Sequence, residues 1–146
     1  MEDATAAFRA AQASLRSRFD DFRQALQRRD GPAYRLALAD FQQALGRWTA
    51  EEERHLVPAL ERAPIAGRDS RRELTLEFVQ LRELTRQLRF QIEATAPLSD
   101  VLGLVENLSR RFDAHERGVL EVYYPAAATA LTAGERAALE KAAREL

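Results

Sequence analysis

The chain has 146 residues, of which 46% are hydrophobic and 31% are charged, and its formal net charge is −1 because 22 basic side chains nearly balance 23 acidic ones. This balance excludes the positive field that gathers nucleic acid or anionic lipid, and the absence of cysteine excludes disulfides, thiol redox chemistry and thiolate metal sites. The length fits one domain, residues 1–146, and the lack of a long apolar run predicts a cytoplasmic protein without a membrane segment.

The first two predicted helices are separated by a helix-stop signal. The first covers about residues 3–30 and ends at "DGP", where Gly31 stops one helix and Pro32 begins the next. The second covers about residues 32–62. Pro58 lies inside it, so we expect a kink or a local break near the end of this helix.

Three further helices follow, and capping boxes mark two of their starts. The third covers about residues 70–94 and begins at "SRRE", whose first residue is Ser70. The fourth covers about residues 99–124 and ends before Pro125. A short last helix begins at "TAGE", whose first residue is Thr132. No stretch alternates with period two for long enough to predict a strand, so the fold class is all-α.

Apolar residues recur at alternating intervals of four and three in each long helix, which predicts one buried stripe per helix. The stripe residues, helix by helix, are Phe8, Leu15, Phe19, Phe22 and Leu26; Phe41, Leu45, Trp48, Glu52 and Leu56; Leu74, Phe78, Leu81, Thr85, Leu88 and Ile92; and Val101, Val105, Leu108, Phe112, His115, Val119 and Val122. Short loops make sequential helices antiparallel neighbours. The pattern therefore predicts an up-down-up-down four-helix bundle with a short C-terminal helix.

Two ionisable residues lie on these stripes, Glu52 on the second helix and His115 on the fourth. A buried carboxylate without a partner is costly, so we expect Glu52 to hydrogen-bond to His115 across the bundle. For an isolated pair of this kind, a purely structural contact is the favoured interpretation.

Five segments of the sequence resemble one known family in the right order. "LGRWTAEEERHLVPALERA" is similar to a motif that reads His-Phe-x-x-Glu-Glu-x-x-Leu-Phe-Pro, and "FDAHERGVLEVYYPAA" is similar to its second copy. "SRFDDFRQAL", "LTLEFVQLREL" and "LTAGERAALEKAAREL" look like the first, third and closing helices of the same family. This is the hemerythrin-like, HHE cation-binding family, and the resemblance spans nearly the whole chain.

The resemblance implies a two-iron centre built from histidines and carboxylates on facing helices. The positions that match the family's ligands are Phe19, Trp48, Glu52, Phe78, His115 and Val119. Only Glu52 and His115 keep a side chain that binds metal, and the other four positions are apolar. These six residues are the candidate ligand-binding positions. We expect a bundle without metal or cofactor, in which Glu52 and His115 are remnant ligands.

The leading functional interpretation is a non-catalytic binding or regulatory module with a protein or small-molecule partner, which also allows a homodimer. One alternative is a residual metal-binding or oxygen- or iron-sensing protein with a single metal on Glu52 and His115, where Glu77 or Glu116 would be a third donor. A second alternative is a small-molecule sensor that holds haem or flavin in an aromatic pocket around Trp48.

Structural interpretations are favoured for four other residues: His55, Tyr123, Tyr124 and Gly118. His55 shares a helix face with Glu51, and we expect that face to lie in solvent. Tyr123 and Tyr124 could each line a pocket or cap the core, and core packing is the favoured role. Gly118 lies in mid-helix, where it makes room for a neighbouring helix or for a small ligand.

Overall fold

The computed structural model describes residues 4–63 and 67–146, and the side chains of residues 5–63 and 71–146. Within these ranges every regular element is helical and no strand occurs. Two π-helices are present, Glu52–Leu56 and Val119–Tyr123. The α-helices are α1 (Ala4–Gln27), α2 (Gly31–Glu51), α3 (Val57–Arg62), α4 (Gly67–Glu93), α5 (Leu98–Gly118), α6 (Tyr124–Ala128) and α7 (Ala133–Arg144).

The described elements form four long helical stretches and one short one, as the sequence predicts. The first π-helix joins α2 to α3, and the second joins α5 to α6, so each set forms one continuous helical stretch. The predicted capping box at α7 is confirmed: the Glu135 N–H donates to Thr132 Oγ1, and the Thr132 N–H donates to Glu135 Oε1. Helix α4 begins at Gly67, before the predicted cap at Ser70, whose side chain lies outside the described residues.

Each π-helix is followed by a proline at the same distance. Pro58 comes six residues after Glu52, and Pro125 comes six residues after Val119. Proline lacks an N–H, and its ring crowds the carbonyl one turn earlier, whereas the wider π-turn places that carbonyl differently. The fourth helical stretch therefore continues past Pro125 as α6, and the predicted end at Tyr124 is wrong.

The second π-helix also changes which residues face the core. Val122 was expected on the buried stripe, but it is 49% exposed, and Tyr123 is buried in its place. A π-helix adds a residue to one turn, so residues after it are rotated relative to an α-helical count. All other residues of the four predicted stripes are buried.

The helices share one hydrophobic core. Helix α1 packs against α2 and α7, α4 packs against α2, α3 and α5, and α7 also contacts α2. Phe19 of α1 meets Phe41 of α2 and Phe112 of α5 at ring-centroid distances of 5.1 and 5.4 Å. These contacts place the middle of all three helices around one layer of aromatic rings.

Candidate functional site

The two stripe residues with ionisable groups lie close to the two π-helices. Glu52 is the first residue of the first π-helix, four positions after Trp48. His115 lies on α5, four positions before Val119, which is the first residue of the second π-helix. Because residues four apart on a helix share a face, each pair faces inward, and all four side chains are buried.

Glu52 belongs to a buried hydrogen-bonded chain with Tyr124 and Trp48. The Tyr124 hydroxyl donates to Glu52 Oε2 over 3.1 Å, and the Trp48 indole N–H donates to Tyr124 Oη over 3.3 Å. Among the described residues, Glu52 Oε1 has no hydrogen-bond partner. The carboxyl therefore has one satisfied oxygen and one orphaned oxygen in the protein interior.

Burial controls the protonation of this group. Removal from water raises the pKa of Glu52 to about 8, and the negative charges of Glu77 and Glu53 act in the same direction, whereas the hydrogen bond from Tyr124 opposes the rise. Burial also raises the pKa of Tyr124 well above its ordinary value, with a further contribution from Glu52. At neutral pH the predominant state is a neutral carboxyl beside a neutral phenol, which avoids an unpaired charge in the core.

His115 has a different partner from the expected one. Its Nδ1 lies 2.9 Å from Glu77 Oε2, and its ring is 2% exposed. The predicted hydrogen bond between Glu52 and His115 is wrong: His115 pairs with Glu77, and the donor to Glu52 is Tyr124. Glu77 lies at the edge of the buried face of α4, 30% exposed, from which it reaches His115 while its own charge stays partly hydrated.

The remaining candidate positions are filled by apolar packing. Phe78 packs on His115, with ring centroids 5.7 Å apart in an edge-on arrangement. Phe19 belongs to a separate ring cluster with Phe22, Phe41 and Phe112. Trp48 and Tyr124 both contact Phe8 of α1, at 6.4 and 5.3 Å. Val119 is fully buried. The six candidates therefore divide among several neighbouring contacts and do not converge on one described cavity.

Sequence reasoning missed the part of Tyr124 in this site and underestimated that of Glu77. Core packing was the favoured role of Tyr124, and its hydroxyl was given no partner. A buried carboxyl on the facing stretch needs a donor, however, and a buried tyrosine usually places its hydroxyl on a partner. Glu77 directly precedes Phe78, so it was considered to lie beside the stripe. Its side chain is nevertheless long enough to reach His115.

Gly118 makes room within its own helix. A methyl group added at this position would lie 3.3 Å from Cε2 of Tyr123, which is tighter than an ordinary contact. The expected role in admitting a neighbouring helix or a small ligand is replaced by a more local one. The glycine allows the Tyr123 ring to fold back over the start of the π-helix.

The capacity for metal binding is limited in the part of the chain that the structure describes. No group of three or more histidine, aspartate or glutamate side chains there is placed to hold a metal ion. The other histidine, His55, has its Nε2 at 3.5 Å from Glu51 Oε2, and both side chains are half-buried, so this face is less open to solvent than expected.

A surface pocket of about 280 Å³ touches Trp48. Its wall also includes the charged side chains of Arg47, Glu51 and Glu145, while the indole itself is 1% exposed. A planar apolar cofactor needs a mainly apolar cleft. This geometry does not favour a haem or flavin pocket around Trp48, which stays a prediction from the sequence.

No protein-family model matches the chain, and neither the comparison with curated proteins nor the comparison with solved structures finds a match. The resemblance of five sequence segments to the hemerythrin-like family stays a prediction from the sequence. Among the described residues, none of the helices combines the length and apolar content that a membrane crossing requires.

Proposed function

We propose that the chain is a hemerythrin-like, up-down-up-down four-helix-bundle domain whose metal centre has been replaced by an apolar core, and that it serves as a non-catalytic binding or regulatory module. A cytoplasmic location and a protein or small-molecule partner belong to the same proposal. Its basis is the resemblance in sequence together with the packing at the candidate positions.

The helix contacts support the bundle arrangement. Helix α1 packs on α2, α2 packs on α4, and α4 packs on α5. Phe112 of α5 then meets Phe19 of α1, which completes a ring of four long helices. Two of the connections, residues 28–30 and 94–97, are short, and short connections favour antiparallel neighbours.

The observation that carries the proposal is the packing of Phe19, Trp48, Phe78 and Val119. These are four of the positions at which the resemblance implies ligands to iron, and all four side chains are buried in apolar contacts. Each such side chain contributes roughly 1.5–3 kcal/mol when buried, with no lone pair to offer a metal. The residues present do not fit a two-iron centre.

Metal content and the visible spectrum test this proposal. The purified protein would be measured as isolated, and again after anaerobic loading with ferrous iron followed by exposure to air. We expect no stoichiometric metal and no absorption bands of oxo-bridged iron. About two irons per chain with those bands would contradict the proposal, because it would mean that other residues supply the ligands.

A single-metal site is the second candidate function, and two observations favour it. Glu52 Oε1 has no hydrogen-bond partner among the described residues, and His115 is oriented by Glu77 through Nδ1, as metal-binding histidines often are oriented by a carboxylate. One metal per chain that is lost in His115→Ala but kept in His55→Ala would establish this candidate. Retention of the metal in both variants would exclude it.

A further inference from the structure

The side of α4 that faces away from the core carries a row of exposed apolar residues. Leu76 is 55% exposed, Val79 is 52% exposed and Phe90 is 63% exposed. Together with Glu83 and Arg86 they follow each other at intervals of three and four residues, so the five share one helix face. We call this row, Leu76, Val79, Glu83, Arg86 and Phe90, the α4 outer stripe.

A partner that removes the apolar members of the α4 outer stripe from water lowers the free energy of the system. The buried face of α4, which includes Phe78 and Leu81, already packs in the core, so the outer stripe is not needed for the fold. Exposed apolar residues that line up along one face are typical of interaction surfaces, whereas single exposed ones are ordinary.

The charges within the stripe indicate which partner fits. Glu83 and Arg86 form a salt bridge on the helix surface, with an N–O distance of 2.6 Å, and they lie between Val79 on one side and Phe90 on the other. Consider a second copy of α4 that runs antiparallel and is related by a two-fold axis between Glu83 and Arg86. This axis places Glu83 opposite the second copy's Arg86, and Arg86 opposite its Glu83. The same axis places Val79 opposite the second copy's Phe90.

A parallel alignment of the two helices is unfavourable. Two parallel copies in register would place Glu83 against Glu83 and Arg86 against Arg86, so like charges would meet in the centre of the contact. Leu76 lies one turn beyond Val79, where the same axis places it beside the second copy's Phe90 and opposite its Glu93. The part of the stripe from Val79 to Phe90 is therefore complementary to itself when it is reversed.

We propose that the α4 outer stripe is the interface of an antiparallel, two-fold-symmetric homodimer. Leu76 and Phe90 are about 21 Å apart along the helix axis, at about 1.5 Å per residue. One helix from each subunit forms a small interface, which gives a weak dimer that forms with rising concentration. This inference does not depend on the proposed function of the core, since it concerns residues on the opposite face of α4.

Sedimentation equilibrium of the full chain, from about 1 µM to about 1 mM, tests the proposal. We expect a monomer–dimer equilibrium whose dissociation constant rises at least tenfold in Phe90→Ser. The matched control is Leu102→Ser, which removes an exposed leucine of α5 on the side that faces α1 and should leave the equilibrium unchanged. A monomer at every concentration, or a dimer that is unaffected by Phe90→Ser, would overturn the proposal.

Charge exchange tests the antiparallel register. Glu83→Arg and Arg86→Glu should each weaken the homodimer, because like charges then meet at the axis. An equimolar mixture of the two variants should recover association as a heterodimer, and the double exchange Glu83→Arg/Arg86→Glu should recover the homodimer. Failure to recover in the mixture would overturn the register, and circular dichroism of each variant checks that the fold is kept.

Discussion

The Tyr124 hydroxyl donates to Glu52 Oε2 across 3.1 Å, and both side chains lie within the core. Glu52 begins the first π-helix, and Tyr124 directly follows the second, so this bond links the two irregular turns of the fold. Trp48 donates to the same phenol oxygen. Tyr124 therefore serves as acceptor and donor at once, and it holds two residues of the candidate site in place.

Tyr124→Phe is expected to destabilise the protein by about 1–3 kcal/mol. The substitution leaves Glu52 without its described donor and Trp48 without its described acceptor, while the ring still fills the same space. Chemical denaturation followed by circular dichroism measures the change in the free energy of unfolding.

Tyr123→Phe is the matched control for Tyr124→Phe. The Tyr123 hydroxyl donates to Glu73 over 3.4 Å at a partly buried position, so its loss should cost well under about 1 kcal/mol. Equal costs for the two substitutions would show that the network around Glu52 contributes nothing beyond packing.

The buried carboxyl predicts a specific dependence of stability on pH. Glu52 has a pKa of about 8 in the folded protein against an ordinary value of 4.5, so the folded state keeps the proton in a range where the unfolded chain has released it. The stabilisation from the neutral carboxyl is complete below pH 4.5 and is lost as the pH rises to about 8. The slope is at most about 1.4 kcal/mol per pH unit.

Glu52→Gln removes the titrating group and keeps its shape. The free energy of unfolding of this variant relative to the unmodified protein should rise between pH 5 and pH 8, and it should change little above that range. Glu106→Gln, at an exposed position of α5, serves as the control and should run parallel to the unmodified protein. A parallel course for Glu52→Gln as well would mean that the carboxyl is ionised in the core.

The sequence was sufficient to predict the all-helical class, the five helical stretches and nearly all of the buried stripes. Those features follow from spacing alone, because a helix of 3.6 residues per turn repeats an apolar face at intervals of three and four. The prediction from apolar spacing fails where the α-helix gives way to a π-helix. Val122 was expected in the core under an α-helical count, and the π-helix from Val119 to Tyr123 moves it outward.

The two ionisable stripe residues of the candidate site were predicted, but their hydrogen-bond partners were not. Glu52 and His115 were both expected to be buried, and both are. Their pairing with each other failed because hydrogen bonding depends on the reach of neighbouring side chains. Glu77 of α4 contacts His115, and Tyr124, which directly follows the second π-helix, donates to Glu52. A pattern of apolar spacing carries no information about either approach.

Two valines on the second π-helix give a direct test of the change in helical phase. Val119→Ala should destabilise the protein by about 2 kcal/mol, because it removes two methyl groups from a fully buried position. Val122→Ala should change stability by less than about 0.5 kcal/mol, since this side chain is half exposed. A larger cost at Val122 than at Val119, measured by denaturant unfolding, would contradict the π-helical turn.

Gly118 allows a test of the contact between the helix backbone and Tyr123. Alanine is favoured over glycine in a helix by about 1 kcal/mol, but at this position its methyl group would lie 3.3 Å from the Tyr123 ring, so part of the gain is lost in moving the ring. Gly103→Ala, on the same helix with no atom within 4 Å, should show the whole gain. Thermal unfolding of both variants gives the comparison. An equal rise in stability at both positions would show that Tyr123 moves freely and that Gly118 is not required for the turn.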